Sequence, residues 1–167
     1  MHIEQFQSSQ ARAVSNLVRR NLIEVNSRDY PEGVIASLVE YFSPETMLEN
    51  SRSQYIFVAV HGKGNGEDKD TVVGTASLDN FGSAESPDYY AVTVFVLPES
   101  HGQGVGTQLM EAVESKAREL GAEKITVRAS ITAKGFYQKL GYRFRDGVEE
   151  LDDHGTYIME KGGASWI

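Results

Sequence analysis

The sequence predicts a mixed α/β domain in which strands and amphipathic helices follow one another along the chain. Apolar residues recur at helical spacing after residue 10, and compact β-rich runs occupy Tyr55 to Val60 and Tyr89 to Val96. The second run leads into closely spaced glycines, His101 to Thr107, that open a further amphipathic stretch. With 167 residues the chain is long enough for one such domain, residues 1–167, and too short for two ordinary ones.

The amino-terminal part is predicted to hold one short strand and two helices. Ile3 to Phe6 has the pattern of a strand, and Ser8 or Ser9 follows it as a candidate helix cap. A second helix is expected to begin near Pro31 and to end where Ser43-Pro44 interrupts it. The apolar face of the first helix comprises Ala11, Val14, Leu17, Val18 and Leu22, and that of the second comprises Val34, Ile35, Leu38, Val39 and Phe42.

The middle of the chain is predicted to form a hairpin and then a central strand. Tyr55 to Val60 and Thr71 to Leu78 flank His61 to Gly66, which has the composition of a surface turn. The long apolar run Tyr89 to Val96 indicates a strand that is covered on both faces.

A third helix is predicted after the glycines. Apolar side chains between Val105 and Leu120 trace one helical face, and Gly121 is a natural end for that helix. Lys124 to Ala129 follows as a strand, after which Ser130 or Thr132 can cap a short helix.

The last part of the chain is predicted to be a hairpin. The short helix ends at Gly141, and Tyr142 to Arg145 is expected to pair with Thr156 to Glu160 across the acidic connection Asp146 to Gly155. The final residues, 162–167, have the composition of a frayed end.

The composition excludes several classes of protein. A formal net charge of −8 disfavours attraction to nucleic acid or to an anionic membrane. The chain has no cysteine, which excludes disulfides and thiolate chemistry. It shows neither a signal segment nor a run of about 18 apolar residues, so we expect a cytoplasmic protein. The histidines are scattered at His2, His61, His101 and His154, and no metal site is predicted.

The junction of strand, glycine loop and helix has the chemistry of an anion site. Gly102, Gly104 and Gly106 carry no Cβ to obstruct the approach of backbone N–H groups to a phosphate, and a helix start adds a favourable dipole. A tight turn with a purely structural role explains the spacing equally well. The loop lacks the Gly-Lys-Ser/Thr ending of a nucleoside triphosphate cradle, and it does not open a dinucleotide-binding unit.

Two segments resemble the signatures of the GCN5-related N-acetyltransferase superfamily. Val96-Leu97-Pro98-Glu99-Ser100-His101-Gly102-Gln103-Gly104-Val105-Gly106 is similar to its Val-x-Pro followed by Arg/Gln-x-x-Gly-x-Gly/Ala. Ala133 to Tyr142 is similar to its Ala-x-x-Phe-Tyr-x-Lys-x-Gly-Tyr, and the order of elements also looks like this family. Two positions depart from the pattern, because His101 replaces the usual Arg or Gln and Ser130 stands where Asn is frequent.

The resemblance implies a central mixed sheet, mostly antiparallel and flanked by helices, with a splay between the fourth and fifth strands that holds acetyl-CoA. It implies that Val94, Phe95 and Val96 offer backbone bonds to the pantetheine arm, and that Ser130 is a further contact. The residues implied to bind the pyrophosphate are Gly102, Gln103, Gly104, Val105, Gly106 and Thr107.

The resemblance also implies acetyl transfer to an amine of a small molecule or a protein. Such a reaction needs a neutral nucleophile, a donor to the oxyanion and a proton for the leaving thiolate. Tyr137 is the candidate donor of that proton, with simple packing of its ring as the alternative, and a backbone amide near Val96 is assigned to the oxyanion. No general base is identified, because the strand before the loop holds no carboxylate and Asp79, Glu85 and Asp88 only flank it.

The acceptor is expected to be selected by the two amino-terminal helices, including Asn26 to Phe42, and by the connection Asp146 to His154. Acidic residues there could attract a polyamine, an amino sugar or a basic peptide terminus, with ordinary solvation of a loop as the alternative. A non-catalytic acyl-CoA-binding sensor is the alternative function, and binding of another pyrophosphate ligand is a second one. A homodimer is compatible with the sequence.

Overall fold

The computed structural model describes residues 1–62 and 71–166, and these residues form one seven-stranded sheet. In chain order the strands are β1 (His2–Gln5), β2 (Tyr55–His61), β3 (Thr71–Asn80), β4 (Tyr89–Val96), β5 (Lys124–Ala129), β6 (Arg143–Phe144) and β7 (Tyr157–Gly162). Their order across the sheet is β1-β2-β3-β4-β5-β7-β6. Only β4 and β5 are parallel neighbours in this described sheet, so the predicted mixed, mostly antiparallel sheet is confirmed.

Helices cover both faces of the sheet. They are α1 (Ala11–Glu24), α2 (Glu32–Tyr41), α3 (Pro44–Asn50), α4 (Val105–Glu119) and α5 (Lys134–Lys139). Apolar side chains of α1 to α3 pack on one face, and those of α4 and α5 pack on the other. Within the described ranges, none of the helices combines the length and the apolar character needed to cross a membrane.

The two faces enclose separate apolar cores because side chains alternate along each strand. In β2, Ile56 and Val58 face the core of α1 to α3, whereas Phe57 and Ala59 face the core of α4. The central strand β4 is covered on both sides in the same way, as its apolar run predicts.

The amino-terminal helices begin differently from the prediction. Ser8–Gln10 forms a 3-10 turn, and neither serine caps α1. The side chain of Gln10 instead accepts a hydrogen bond from Gln7 N at 2.8 Å. The residues expected to interrupt the second helix also start α3, because Ser43 Oγ accepts a hydrogen bond from Thr46 N at 3.1 Å.

The parallel contact between β4 and β5 is short. Tyr90 lies beside Thr126 and Ala91 beside Val127, and no later residue of β4 pairs with β5 within the described sheet. Both strands continue beyond these pairs, β4 to Val96 and β5 to Ala129, so their carboxyl ends diverge. The predicted splay between the fourth and fifth strands is confirmed.

A β-bulge in β4 accompanies this divergence. Thr93 and Val94 together oppose the single residue Ala76 of β3, and Thr93 has a φ of 52°. This left-handed conformation is unusual for a β-branched residue, and a bulge bends the strand that carries it. The bend therefore lies at the level where β4 leaves β5.

The carboxyl-terminal segment differs from the expected frayed end. Trp166 is 8% exposed, and its Nε1 donates to Ala122 O at 2.6 Å. The guanidinium of Arg118 lies 5.1 Å from the centre of its ring. In the last hairpin, the strand β6 has only two residues and does not include Tyr142. Residues 63–66 of the surface turn predicted after β2 lie outside the described residues.

Two buried serines are expected to respond differently to loss of the hydroxyl group. Ser15 Oγ donates to Phe42 O at 2.6 Å, whereas Ser77 Oγ has no partner among the described residues, and both serines are 0% exposed. Ser15→Ala should lower the free energy of unfolding by about 1 kcal/mol, because it leaves a carbonyl unsatisfied. Ser77→Ala should be neutral or stabilising, because it removes a desolvated hydroxyl group that has no partner. Urea unfolding measures both values, and a larger loss for Ser77→Ala would contradict this account.

Candidate functional site

A cavity of about 990 Å³ lies where β4 and β5 diverge. Side chains of α1 and α2 line one part of it, and the glycine loop, His101 to Thr107, and α5 line another. The cavity therefore joins the two faces of the sheet. Its walls are formed by Asn21, Leu22, Val25, Asn26, Leu38, Phe42, Phe81, Tyr90, Ala91, Val92, Thr93, Val94, Phe95, Val96, Ser100, His101, Gly102, Gly104, Val105, Gly106, Thr107, Arg128, Ser130, Thr132, Ala133, Phe136 and Tyr137.

The shape of the glycine loop requires glycine at two positions. Gly102 has a φ of 74° and Gly104 a φ of 78°, a region that costs other residues free energy. A Cβ placed on either residue would meet nothing within 4 Å. Both residues line the cavity, so the backbone of the loop is open to a ligand there.

The first turn of α4 presents free backbone donors to the cavity. The first hydrogen bond of the helix runs from Gln108 N to Gly104 O at 3.1 Å, so the N–H groups of Val105, Gly106 and Thr107 have no acceptor within the helix. Within the described chain this helix has no side-chain cap, and its first turn has no acidic residue. The free donors and the helix dipole therefore favour an anion supplied from outside the chain.

Hydrogen bonds hold the loop against the end of β4. His101 Nε2 lies 2.8 Å from Val96 O, and because a carbonyl only accepts, the ring nitrogen is the donor. Gln103 Nε2 donates to Glu99 O at 3.0 Å, and the Glu99 carboxylate pairs with Arg20 Nη1 at 2.8 Å. His101, which departs from the family pattern, thus fixes the last carbonyl of the strand.

Close packing brings α5 to the start of α4. A Cβ on Gly106 would lie 3.0 Å from Cζ of Phe136, so the absence of a side chain permits this approach. Ser130 Oγ accepts a hydrogen bond from Ala133 N at 3.1 Å and so begins the turn that leads into α5. Tyr137 consequently lies on the same cavity as the glycine loop.

Tyr137 is a buried phenol with a free hydroxyl group. The residue is 6% exposed, and its ring packs edge-on against Phe136 and Tyr142 at centroid distances of 5.1 and 5.6 Å. Burial raises the pKa of the Tyr137 phenol, because the low-dielectric interior disfavours the phenolate. Its hydroxyl makes no hydrogen bond to any described residue. The group is therefore a protonated donor that lacks a partner within this part of the chain.

The neighbouring Tyr142 has a structural role. Its hydroxyl donates to Glu114 Oε1 at 3.0 Å, and Lys161 Nζ donates to the other oxygen of that carboxylate at 2.9 Å. Burial, together with the Glu114 charge, raises the pKa of Tyr142. This buried network fixes the Tyr142 ring, against which the ring of Tyr137 packs.

The structure brings most of the predicted site residues together. Gln103 is the exception, because it does not line the cavity and its side chain is bonded to the loop itself. Those that line the cavity are Val94, Phe95, Val96, Gly102, Gly104, Val105, Gly106, Thr107, Ser130 and Tyr137. Their individual roles stay predictions.

No carboxylate lines the cavity among the described residues. Asp79 accepts hydrogen bonds from Gln54 Nε2 at 2.9 Å and from Asn80 N at 2.8 Å, and neither Glu85 nor Asp88 reaches the cavity wall. The three flanking candidates for a general base are therefore away from the site. The connection Asp146 to His154 does not line the cavity either.

Residues that are far apart in the sequence meet at or near the site. Asn21 and Leu22 of α1 and Arg128 of β5 line the cavity, although they lie far from the glycine loop in sequence. Tyr30 joins distant segments, since its hydroxyl donates to Gly155 O at 2.7 Å and accepts from Ile131 N at 3.1 Å. Only the folded sheet brings these segments together.

The chain is similar in sequence to one protein family. The family model described as the acetyltransferase (GNAT) family matches residues 19–142.

Several solved structures have the same fold. The PaiA N-acetyltransferase of Thermoplasma acidophilum, solved in complex with coenzyme A, is 18% identical with a TM-score of 0.78, and the match covers 98% of this chain and 100% of that one. A GCN5-related N-acetyltransferase of Rhodopseudomonas palustris is 23% identical with a TM-score of 0.74, over 96% of this chain and 94% of that one. An aminoglycoside 6'-N-acetyltransferase complexed with coenzyme A is 15% identical with a TM-score of 0.68, over 97% of both chains.

Replacement of two glycines by alanine tests whether the positive φ, rather than a lack of space for a side chain, makes glycine necessary in the loop. Gly104 and Gly135 both have open space where a Cβ would lie, but only Gly104 has a positive φ. Gly104→Ala should therefore cost about 1–2 kcal/mol of stability. Gly135→Ala, inside α5, should gain about 0.5–1 kcal/mol. Urea unfolding gives both signs, and equal effects would show that the conformation of Gly104 is not constrained.

Proposed function

The chain belongs to the acetyltransferase (GNAT) family, and on that premise we propose that it transfers an acetyl group from acetyl-CoA to a primary amine of a small molecule or a protein. One observation carries the proposal: the uncapped start of α4 and the buried, protonated Tyr137 open onto the same cavity. When bound, acetyl-CoA supplies the activated thioester. We assign this function to residues 1–167 as one domain.

The residues at the glycine loop fit a pyrophosphate. Positive φ at Gly102 and Gly104 leaves open space on the cavity side, and the first turn of α4 adds donors that no acidic residue neutralises within the described chain. We propose that the backbone from Gly102 to Thr107 holds the pyrophosphate and that the end of β4 holds the pantetheine arm. Two relatives of the same fold, named above, were solved with coenzyme A.

In this proposal, the end of β4 and Tyr137 have separate catalytic roles. A backbone amide near Val96 would stabilise the oxyanion that develops when the amine attacks directly. The Tyr137 hydroxyl would give its proton to the departing thiolate, and the raised pKa keeps that proton in place at neutral pH. Since no described carboxylate lines the cavity, we propose that water carries the proton from the amine to solvent and that solvent returns a proton to the Tyr137 phenolate.

A non-catalytic sensor of acyl-CoA is the second candidate function. The observation that favours it is the same lack of a carboxylate in the described walls of the cavity. A sensor would bind acetyl-CoA without releasing CoA when amines are added. The position of Tyr137 favours the transferase, because a sensor has no need of a proton donor there.

Binding of acetyl-CoA tests the site directly. Gly104→Glu should weaken the affinity measured by calorimetry at least about 100-fold, because at least two charge-assisted hydrogen bonds of about 1.5–3 kcal/mol each are lost. Gly121→Glu is the matched control, since Gly121 lies just beyond the other end of α4 with a similar φ of 82° and the same open space. It should bind like the native protein. Absence of binding by folded native protein would refute the proposed function.

Replacement of Tyr137 tests the proton donor. Tyr137→Phe should lower kcat for CoA release by roughly 10²-fold or more, with the Kd for acetyl-CoA unchanged, because only the donor is removed. Since the raised pKa lies above the ordinary value of about 10, native kcat should show no alkaline fall from this group between pH 7 and about 10.

The control for this experiment is Tyr142→Phe. It removes the hydroxyl group that is bonded to Glu114, so it should lower the stability and leave kcat close to native. Native kcat in Tyr137→Phe would exclude the proposed acid. Tight binding of acetyl-CoA by the native protein, with no CoA release for any amine, would identify the sensor.

A further inference from the structure

We infer that the acceptor is an aminocarboxylate with an apolar body, whose carboxylate pairs with Arg128. This inference rests on the proposed function and names the substrate class of the same cavity. Three features of the described residues carry it: the position of Arg128, its lack of an ion-pair partner, and the mostly apolar, acid-free wall around it.

Arg128 projects into the half of the cavity away from α4. In β5 the neighbouring residues Val127 and Ala129 are buried in the core on the α4 side. Because side chains alternate along a strand, Arg128 points to the face that carries α1 and α2. It is exposed and lines the cavity, so its guanidinium is available to a ligand that enters from this side.

No carboxylate of the described chain forms an ion pair with Arg128. Asp152 is close enough to interact with the charge of Arg128, but each Asp152 oxygen accepts a hydrogen bond within its own loop and none from Arg128. Oδ1 accepts from His154 N and Thr156 N, both at 2.9 Å, and Oδ2 accepts from Thr156 Oγ1 at 2.9 Å. Asp152 therefore stabilises the loop, and the donors of Arg128 are left for an external anion.

The remaining wall of this half is mostly apolar, with Asn21 of α1 and Asn26 of the α1–α2 connection as its polar residues from this part of the chain. Leu22, Val25, Leu38 and Phe42 from the first two helices line it together with Phe81. Phe81 is 60% exposed, and its ring packs edge-on against Tyr90 at 4.8 Å, which leaves a fixed aromatic surface for a ligand to cover. Such a surface favours an aliphatic or aromatic body over a hydrophilic one.

The charge of the wall argues against a polycationic acceptor. The whole chain carries −8, yet no Asp or Glu of the described residues lines the cavity, and Arg128 would repel an ammonium group nearby. A planar guanidinium matches a carboxylate through two parallel hydrogen bonds. An amine that bears a carboxylate pairs with the cation, and the carboxylate offsets the positive charge of the acceptor's own ammonium group.

The test compares acceptors that have a carboxylate with related amines that lack it, and with a polyamine. CoA release by the full chain is measured with L-leucine and L-phenylalanine, with leucinamide and phenethylamine, and with spermidine. The native protein should favour each acceptor with a carboxylate over its counterpart without one by at least about tenfold in kcat/KM, the value of one charge-assisted hydrogen bond. Arg128→Gln should abolish that preference by raising KM for the carboxylate acceptors, and its Kd for acetyl-CoA should stay native.

Arg143→Gln is the matched control, because Arg143 is exposed on β6 and does not line the cavity. It should keep the native preference. A native preference for spermidine or for the amines without a carboxylate overturns the inference, and so does an Arg128→Gln variant that keeps the preference or loses acetyl-CoA affinity. Acetyl-CoA binding without CoA release from any acceptor also overturns it, whereas failure to bind acetyl-CoA refutes the proposed function itself.

Discussion

The site depends on how briefly β4 and β5 run side by side. Two parallel pairs, Tyr90 with Thr126 and Ala91 with Val127, join the halves of the sheet, and beyond them the strands separate. A parallel pair that continued would fill this space with backbone hydrogen bonds and leave no cavity. The bulge at Thr93, held in a left-handed conformation, lets β4 stay bonded to β3 while it bends away from β5.

Because β4 and β5 separate, the two walls of the cavity present different chemical groups to a ligand. On the α4 side, Gly106 permits Phe136 to approach the start of the helix, which brings the buried phenol of Tyr137 to the uncapped amides. On the opposite side, the hydroxyl of Tyr30 bonds to Gly155 and to Ile131 and so ties the α1–α2 connection to the two loops that hold these residues. Among the described residues, the wall on the α4 side therefore has unpaired backbone donors. The opposite wall is mostly apolar and carries the guanidinium of Arg128.

Local patterns predicted the elements, and long-range contacts determined the rest. The apolar run of β4, the glycine loop and α4 follow from neighbouring residues, so sequence reasoning found them. The predicted cap of α1 was wrong because a glutamine pair, Gln7 and Gln10, closes that turn in place of the two serines. Arg128 was missed, and so were the contacts of Tyr30, because no periodicity in the sequence records a contact between distant residues. Tyr30 and Ile131, for example, lie about a hundred residues apart.

The net charge of the chain is negative, whereas the described wall of its cavity has one guanidinium and no carboxylate. A value of −8 describes a solvated surface, and charges there are screened over about 8 Å at physiological ionic strength. Inside the cavity the described wall has a helix start, free amides and Arg128, and no carboxylate. Short-range donors of this kind act in a poorly screened space, so they outweigh the distant acidic surface. An acidic protein can therefore hold an anionic ligand, and the net charge of the chain does not by itself indicate the charge of that ligand.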